Sequence, residues 1–425
     1  MIHTRSRALM LASLTSLALL AGCGGGDDNK PAVPTGFKVT PGDARVYVEW
    51  TQEPNLTYWL FSAQGEGLTR SNYRTGADAR IQTPVYSGFA RTGLVNGLKY
   101  SFFLNATDGA SAAGDETATW TVTPRPAGDN WQTPSEVKAG TELNAVSVFN
   151  SRFVAVGADG AVFLSFDSKA WEASSVAIPT SKTLYGIGVS GSLAVAVGAD
   201  GTILTSTDAI TWTARTSPVT TTLRSVAAGP DAFIAVGDGG VVVRSTDGVT
   251  WTALEASAKP AGLTANLRSV KNLNGTVVIV GDNGTVIQAA TTADLSTGLR
   301  AAATSENLRD VSFGASTYVA VGSNGTVIAS RDGSTWYPQI NLPVSGEFSA
   351  IGIGSRFMAI GANGLAAIAV VKDASAANAA MLSWSVPTPS ADESHVAPSG
   401  NMNAIVASSA GYVVARSDGK VQSAF

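Results

Sequence analysis

The sequence predicts an all-β chain, a two-sheet sandwich followed by a circular array of seven small antiparallel sheets. Charged residues make up only 14% of the 425 residues while 45 are glycine, a balance that suits short strands and tight turns better than a charge-laced helical protein. Between Pro34 and Pro124, apolar and polar residues alternate in runs such as Arg45-Val46-Tyr47-Val48-Glu49-Trp50, the period-two mark of a strand. From Leu143 onward the chain is self-similar at about 40 residues, a period that signals stacked or radially arranged sheets.

The chain opens with an address. Arg5 and Arg7 precede the apolar run Ala8 to Leu20, and small residues follow, so residues 1–22 read as a signal peptide. The run is shorter than the roughly 20 apolar residues that a membrane-spanning helix needs. Leu20-Ala21-Gly22-Cys23 resembles the lipobox of bacterial lipoproteins, in which the cysteine is acylated and becomes the first mature residue. That resemblance implies a membrane partner through a lipid anchor at Cys23, and Gly24 resembles the lipoproteins sorted to the outer membrane of the cell envelope. Residues 23–33, rich in glycine, aspartate and proline, form a flexible tether. Cys23 is the single cysteine, so the exported body relies on packing without an intrachain disulfide. Removing Arg5 and Arg7 takes the 28 basic residues to 26 against 32 acidic ones, a balance of −6 that argues against a nucleic-acid partner.

Residues 34–126 form the sandwich. Strand-like runs recur at 45–50, 57–62, 99–106 and 117–123. Leu94-Val95-Asn96-Gly97-Leu98-Lys99-Tyr100 resembles the tyrosine corner of fibronectin type III domains, and Trp50, Tyr58, Phe102, Ala106 and Thr123-Pro124 follow that family's order. The resemblance implies an immunoglobulin-like sandwich acting as a spacer, with its aromatic residues in the core rather than on a carbohydrate platform.

Residues 128–425 carry the repeats. Each begins with an apolar residue, namely Leu143, Leu184, Leu223, Leu267, Leu308, Phe348 and Met402, and a second strand then runs into a glycine-bearing turn ending at Gly160, Gly201, Gly240, Gly284, Gly325, Gly364 and Gly419. Four repeats close with Ser-x-Asp-x-x-x-Trp, contributing Asp167 and Trp171, Asp208 and Trp212, Asp247 and Trp251, and Asp332 and Trp336. These segments resemble the Asp-box, or BNR repeat, of sialidase-type propellers. Their role reads as structural: the aspartate accepts bonds from turn amides and the tryptophan packs between sheets. The last repeat stops at Phe425, one strand short, whereas Asn130 to Ser135 looks like an outer strand with no sheet before it. The fold expected is therefore a seven-bladed β-propeller closed by an N-terminal outer strand, which would remove an exposed edge.

Three successive repeats place an arginine after their first apolar residue: Arg224, Arg268 and Arg309. The other repeats have Asn144, Tyr185, Ser349 and Asn403 there. Inner strands line a propeller's channel, so the arginines should share one sector of its mouth, where guanidinium forks suit a carboxylate or phosphate. The alternative reading is that they satisfy loop carbonyls or pair with Asp310 and neighbouring acids while their stems cover apolar surface. The Leu308-Arg309-Asp310-Val311 phrase resembles propellers of the photosystem II assembly-factor type, in which arginines support partner binding. The combined reading is an envelope-anchored, non-enzymatic binding or assembly lipoprotein whose propeller face docks a protein, an anionic glycan or another anionic ligand. A sialidase-like glycoside hydrolase is the alternative, with Tyr185 and Glu306 as its nucleophile pair. His395 lies in a polar stretch, and as the one histidine left after export it supports neither a catalytic triad nor a metal cluster. No cofactor or metal is expected.

Overall fold

The computed structural model describes residues 30–110, 113–301, 303–372, 381–388, 396–408 and 411–425. Residues 1–22, expected to be a signal peptide, together with Cys23 and His395 lie outside these described residues. The regular elements are strands and single 3-10 turns, and the chain divides into two compact units between Pro124 and Arg125.

The first unit has two sheets. One orders Lys38–Gly42, Arg45–Glu49 and Phe89–Thr92, and the other orders Arg80–Val85, Thr57–Gln64, Tyr100–Thr107 and Trp120–Val122. Alternate residues of these strands, among them Val46, Val48, Tyr58, Leu60, Phe102 and Leu104, meet in one core together with Trp50. The Val95 amide donates to Tyr100 Oη at 3.1 Å, which pins the approach to the strand that follows. Strand Thr57–Gln64 is apolar on its other face as well, and that face must also be covered. Leu68 and Tyr73, from the segment after it, provide the cover over Phe61 and Phe103, whose rings stack 4.5 Å apart.

Among the described residues the second unit holds seven four-stranded antiparallel sheets, each an open ladder. The third is representative: Leu223–Ala228, Phe233–Gly237, Val242–Ser245 and Thr252–Ala253 follow one another in chain order. Apolar clusters form between consecutive sheets. Val195, Leu223, Val226, Val243 and Trp251 join the second to the third, and Leu143, Val146, Phe163, Val413 and Val421 join the first to the seventh.

The seventh sheet is discontinuous in sequence. Met402–Ser408, Gly411–Arg416 and Lys420–Ala424 are completed by Ser135–Glu136, with Lys420 opposite Glu136 and Val421 opposite Ser135. The contact continues toward the C-terminus: the Gln132 amide donates to the Ser423 carbonyl at 2.8 Å and the Phe425 amide to the Asn130 carbonyl at 3.0 Å. Trp131 is fully buried there, packed with Met358, Tyr412 and Ala424.

The four Ser-x-Asp turns explain their residue types. Asp247 Oδ1 accepts the amides of Val249 at 2.7 Å and Thr250 at 2.8 Å and the Ser245 hydroxyl at 2.9 Å, while Trp251 Nε1 donates to the Gly248 carbonyl at 3.0 Å. Asp167, Asp208 and Asp332 make the same amide bonds. The Thr250 amide, then that of Val249, lowers the Asp247 pKa from 3.8 to about 2. Partial burial opposes ionisation of the other three, and the amide bonds outweigh it, leaving each below the usual carboxylate range. In the fourth sheet, where the box tryptophan is missing, Leu295 fills a core position.

A carboxylate with a depressed folded-state pKa contributes stability above its unfolded value and loses it as pH falls through the folded one. Stability is therefore expected to decline as pH falls below 3.8, for Asp247 down to about 2, as these aspartates protonate. Replacing all four aspartates by asparagine should flatten that decline. Urea midpoints measured down the acid range check this, and an unaltered slope in the variant would contradict it.

Candidate functional site

Every inner strand of the second unit carries the same irregularity. Leu223 pairs with Gly237 and Ser225 with Val236, which leaves Arg224 as an extra residue bulged out of the ladder. The other six ladders skip Asn144, Tyr185, Arg268, Arg309, Ser349 and Asn403. A bulge re-aims the side chain it carries. The position picked out by sequence periodicity is thus a structural one, repeated around the array. Asn144 and Asn403 use it to reach the next inner strand, donating to the Leu184 and Leu143 carbonyls at 3.0 Å each.

One cavity of about 430 Å³ is lined by residues of all seven inner strands, and Arg224, Arg268 and Arg309 all border it. Each has an acidic neighbour, though not Asp310. Arg224 binds Asp238 through Nε and, at 2.8 Å, through Nη2, and its guanidinium lies 5.5 Å from the Tyr185 ring centroid. Arg268 binds Asp282 at 2.8 Å and 2.7 Å, a bidentate pair. These hydrogen bonds raise the Arg268 pKa and hold Asp282 below the usual carboxylate range. Arg309 pairs loosely with Glu347, at 3.6 Å, and its charge also acts through space on Asp282.

Asp310 corrects the expectation most directly, because it serves none of the arginines. Its carboxylate accepts Ser269 Oγ at 2.8 Å, the Ile351 amide at 2.9 Å and Lys271 Nζ at 2.9 Å. Lys271 thereby reaches from the fourth inner strand to the fifth and extends to the Ile351 carbonyl of the sixth at 3.4 Å. Nothing in the spacing of single repeats signals this bridge. The arginine pairing did leave a trace: the two repeats with both an arginine and an aspartate after the second-strand glycine are those that form the bidentate pairs.

The Tyr185–Glu306 pair does not assemble. Tyr185 lines the cavity, whereas Glu306 accepts the Asn324 side-chain amide at 2.9 Å in the turn region. Asp167, Asp208, Asp247, Asp332 and their paired tryptophans are not among the residues lining this cavity.

Arg268 and Asp282 are mostly buried and the Arg309 pair is not, so their removal should cost different amounts. Arg268→Gln is expected to destabilise by about 1–3 kcal/mol, since it leaves a partly buried carboxylate short of donors. Arg309→Gln should stay within about 0.5 kcal/mol. Urea unfolding of the two variants decides, and equal losses would contradict the assignment.

No protein-family model matches the chain, and no curated protein matches it either. Solved structures do. YCF48 bound to a D1 peptide is similar at a TM-score of 0.53 and 16% identity, over 69% of this chain and 96% of that one. YCF48 from Cyanidioschyzon merolae gives a TM-score of 0.50 and 16% identity over 69% of this chain and 98% of that one. The WD40 β-propeller domain of Doa1 gives 0.52 and 12% over 69% and 97%. At such identities the likeness establishes the fold: the chain is all-β and propeller-like.

Proposed function

We propose that the chain is a non-enzymatic binding or assembly lipoprotein of the cell envelope, held by a lipid at Cys23, spaced by a fibronectin type III-like domain, and docking a protein or anionic ligand on the propeller face that bears the arginines. The seven sheets are read as blades, with residues 130–136 closing the seventh onto the N-terminal side of the unit. The observation that carries the reading is the single cavity to which all seven inner strands contribute and at whose edge three arginines gather. Such an opening collects side chains from across the chain at one place, as a docking surface needs. A structure with the same general fold, YCF48, is described as bound to a D1 peptide, which agrees with a peptide or protein partner. The sandwich reading is supported by the three-plus-four strand arrangement and by the Tyr100 contact.

A photo-cross-linking residue at Ser349, on the cavity edge, tests docking in intact cells. A discrete adduct that is absent when the cross-linker sits at Lys169, on an Asp-box turn, is the result expected. Equal labelling from both positions would overturn the docking site. Cys23→Ser protein that still resisted a carbonate wash of the membrane would overturn the anchor.

A further inference from the structure

The bulge arginine and the turn residue facing it form a repeated unit, and its third copy is altered. Asp238, Asp282 and Ser323 are equivalent by register, since Leu223 pairs with Gly237, Leu267 with Gly281 and Leu308 with Gly322. Their amides confirm the equivalence. Each donates to the residue before its inner strand: Asp238 to the Thr222 carbonyl at 3.1 Å, Asp282 to Asn266 at 2.9 Å and Ser323 to Asn307 at 2.9 Å. In the third and fourth sheets the aspartate takes the guanidinium fork through both oxygens. In the fifth, a short uncharged hydroxyl stands in the same place.

The charges at the cavity follow from this substitution. Arg224 and Arg268 are neutralised within their own sheets, and Lys271 by Asp310. Among the described cations lining the cavity, Arg309 is the one whose carboxylate partner, Glu347, lies beyond hydrogen-bond distance, with Asp282 acting on it only through space. Its contact with Glu347, at 3.6 Å and with the Glu347 side chain 57% exposed, is too long for a hydrogen bond. Exposed pairs of this kind contribute little and exchange readily.

Resting on the docking reading above, we infer that Arg309 with Ser323 is the anion seat of the cavity edge. It takes one planar carboxylate of a peptide partner, in the position that Asp238 and Asp282 hold in the neighbouring sheets. A guanidinium matches a carboxylate bidentately, and the neighbouring copies show this fold presenting the fork in that way. Arg224 and Arg268 do not compete for the ligand, because each already holds an internal carboxylate. The carboxylate can come from an acidic side chain or from a chain terminus.

The test uses the full-length chain in detergent, following the arginine Nε–H resonances by nuclear magnetic resonance, assigned with Arg224→Gln, Arg268→Gln and Arg309→Gln. Titration with acetate is expected to move the Arg309 signal saturably and to leave the other two nearly still. Ser323→Asp supplies the missing internal carboxylate and should weaken the response about tenfold or more, as a tethered group competes at high effective concentration. Ser323→Asn, similar in size but uncharged, should keep the response, which guards against misfolding as the cause. Equal shifts at all three arginines, or an unaffected Ser323→Asp variant, would overturn the inference. A peptide with a free terminus and an amidated peptide containing one glutamate separate the two sources: a shift of Arg309 by either supports the seat, and by neither overturns it. If the seat fails while the Ser349 adduct persists, the docking reading stands without it. If acetate binds and the adduct is missing, the docking reading is the one that falls.

Discussion

Deleting residues 128–136 is expected to cost the second unit more stability than any single substitution in it, with a melting temperature lowered far beyond the few degrees of an ordinary surface change. The deletion removes the fourth strand of the seventh sheet and with it Trp131, which is fully buried against Met358, Tyr412 and Ala424. It also exposes Lys420–Ala424 as a sheet edge, a template for aggregation. Trp131→Ala isolates the packing part and should destabilise by about 3–5 kcal/mol, the range for truncating a large buried aromatic residue. Thermal and urea unfolding of both variants provide the check. A deletion variant that melted with the parent would mean that the seventh sheet stands without this strand.

The second large effect is expected at Gly237. A Cβ there would lie 1.9 Å from the Thr222 carbonyl oxygen, 2.9 Å from its carbon and 3.0 Å from the Leu223 Cα. All three are backbone atoms that cannot rotate aside, so Gly237→Ala should cost about 2–4 kcal/mol by forcing the turn off the inner strand. Gly239 offers a comparison within the same turn. It has φ of +64° and nothing within 4 Å of the added carbon, so Gly239→Ala bears only left-handed backbone strain, about 1 kcal/mol. Urea midpoints should rank the two in that order. The reverse ranking would refute the close-approach argument.

Much of the fold was legible because the repeat restates the same physics several times. Leucine, valine and the second-strand glycine recur at fixed offsets, and the orphan strand around Trp131 could be matched to a sheet lacking one. The bulge position was visible as a variable residue after the first apolar one, although its cause was not, since a ladder register is not written in any single repeat. What escaped the sequence lies between sheets. Lys271 and Asp310 are 39 positions apart and meet only because neighbouring inner strands lie side by side. The cover of Leu68 and Tyr73 over Phe61 likewise needed the fold, because a strand with two apolar faces reads the same whether a loop or a sheet covers it. For the candidate site, the three arginines border one cavity, and of the acids near them Asp238, Asp282 and Glu347 are partners while Asp310 is not. The pairing rule that separates Arg309 from its neighbours was present as Asp238, Asp282 and Ser323, residues that only the register makes equivalent.

The claim on which the site depends is that the N-terminal end of the second unit is stitched to its C-terminal end, so that all seven inner strands surround one opening. Glu136 and Lys420 face each other across that seam. Opposed residues of an antiparallel pair have Cα atoms about 4.5–5.5 Å apart, within the span a disulfide bridges. In a Cys23→Ser chain carrying Glu136→Cys and Lys420→Cys, mild oxidation should form an intramolecular disulfide, seen as loss of both free thiols without dimerisation, and its reduction should lower the melting temperature. Two thiols that stay free in the folded protein, or that join only between molecules, would contradict the seam and the opening built upon it.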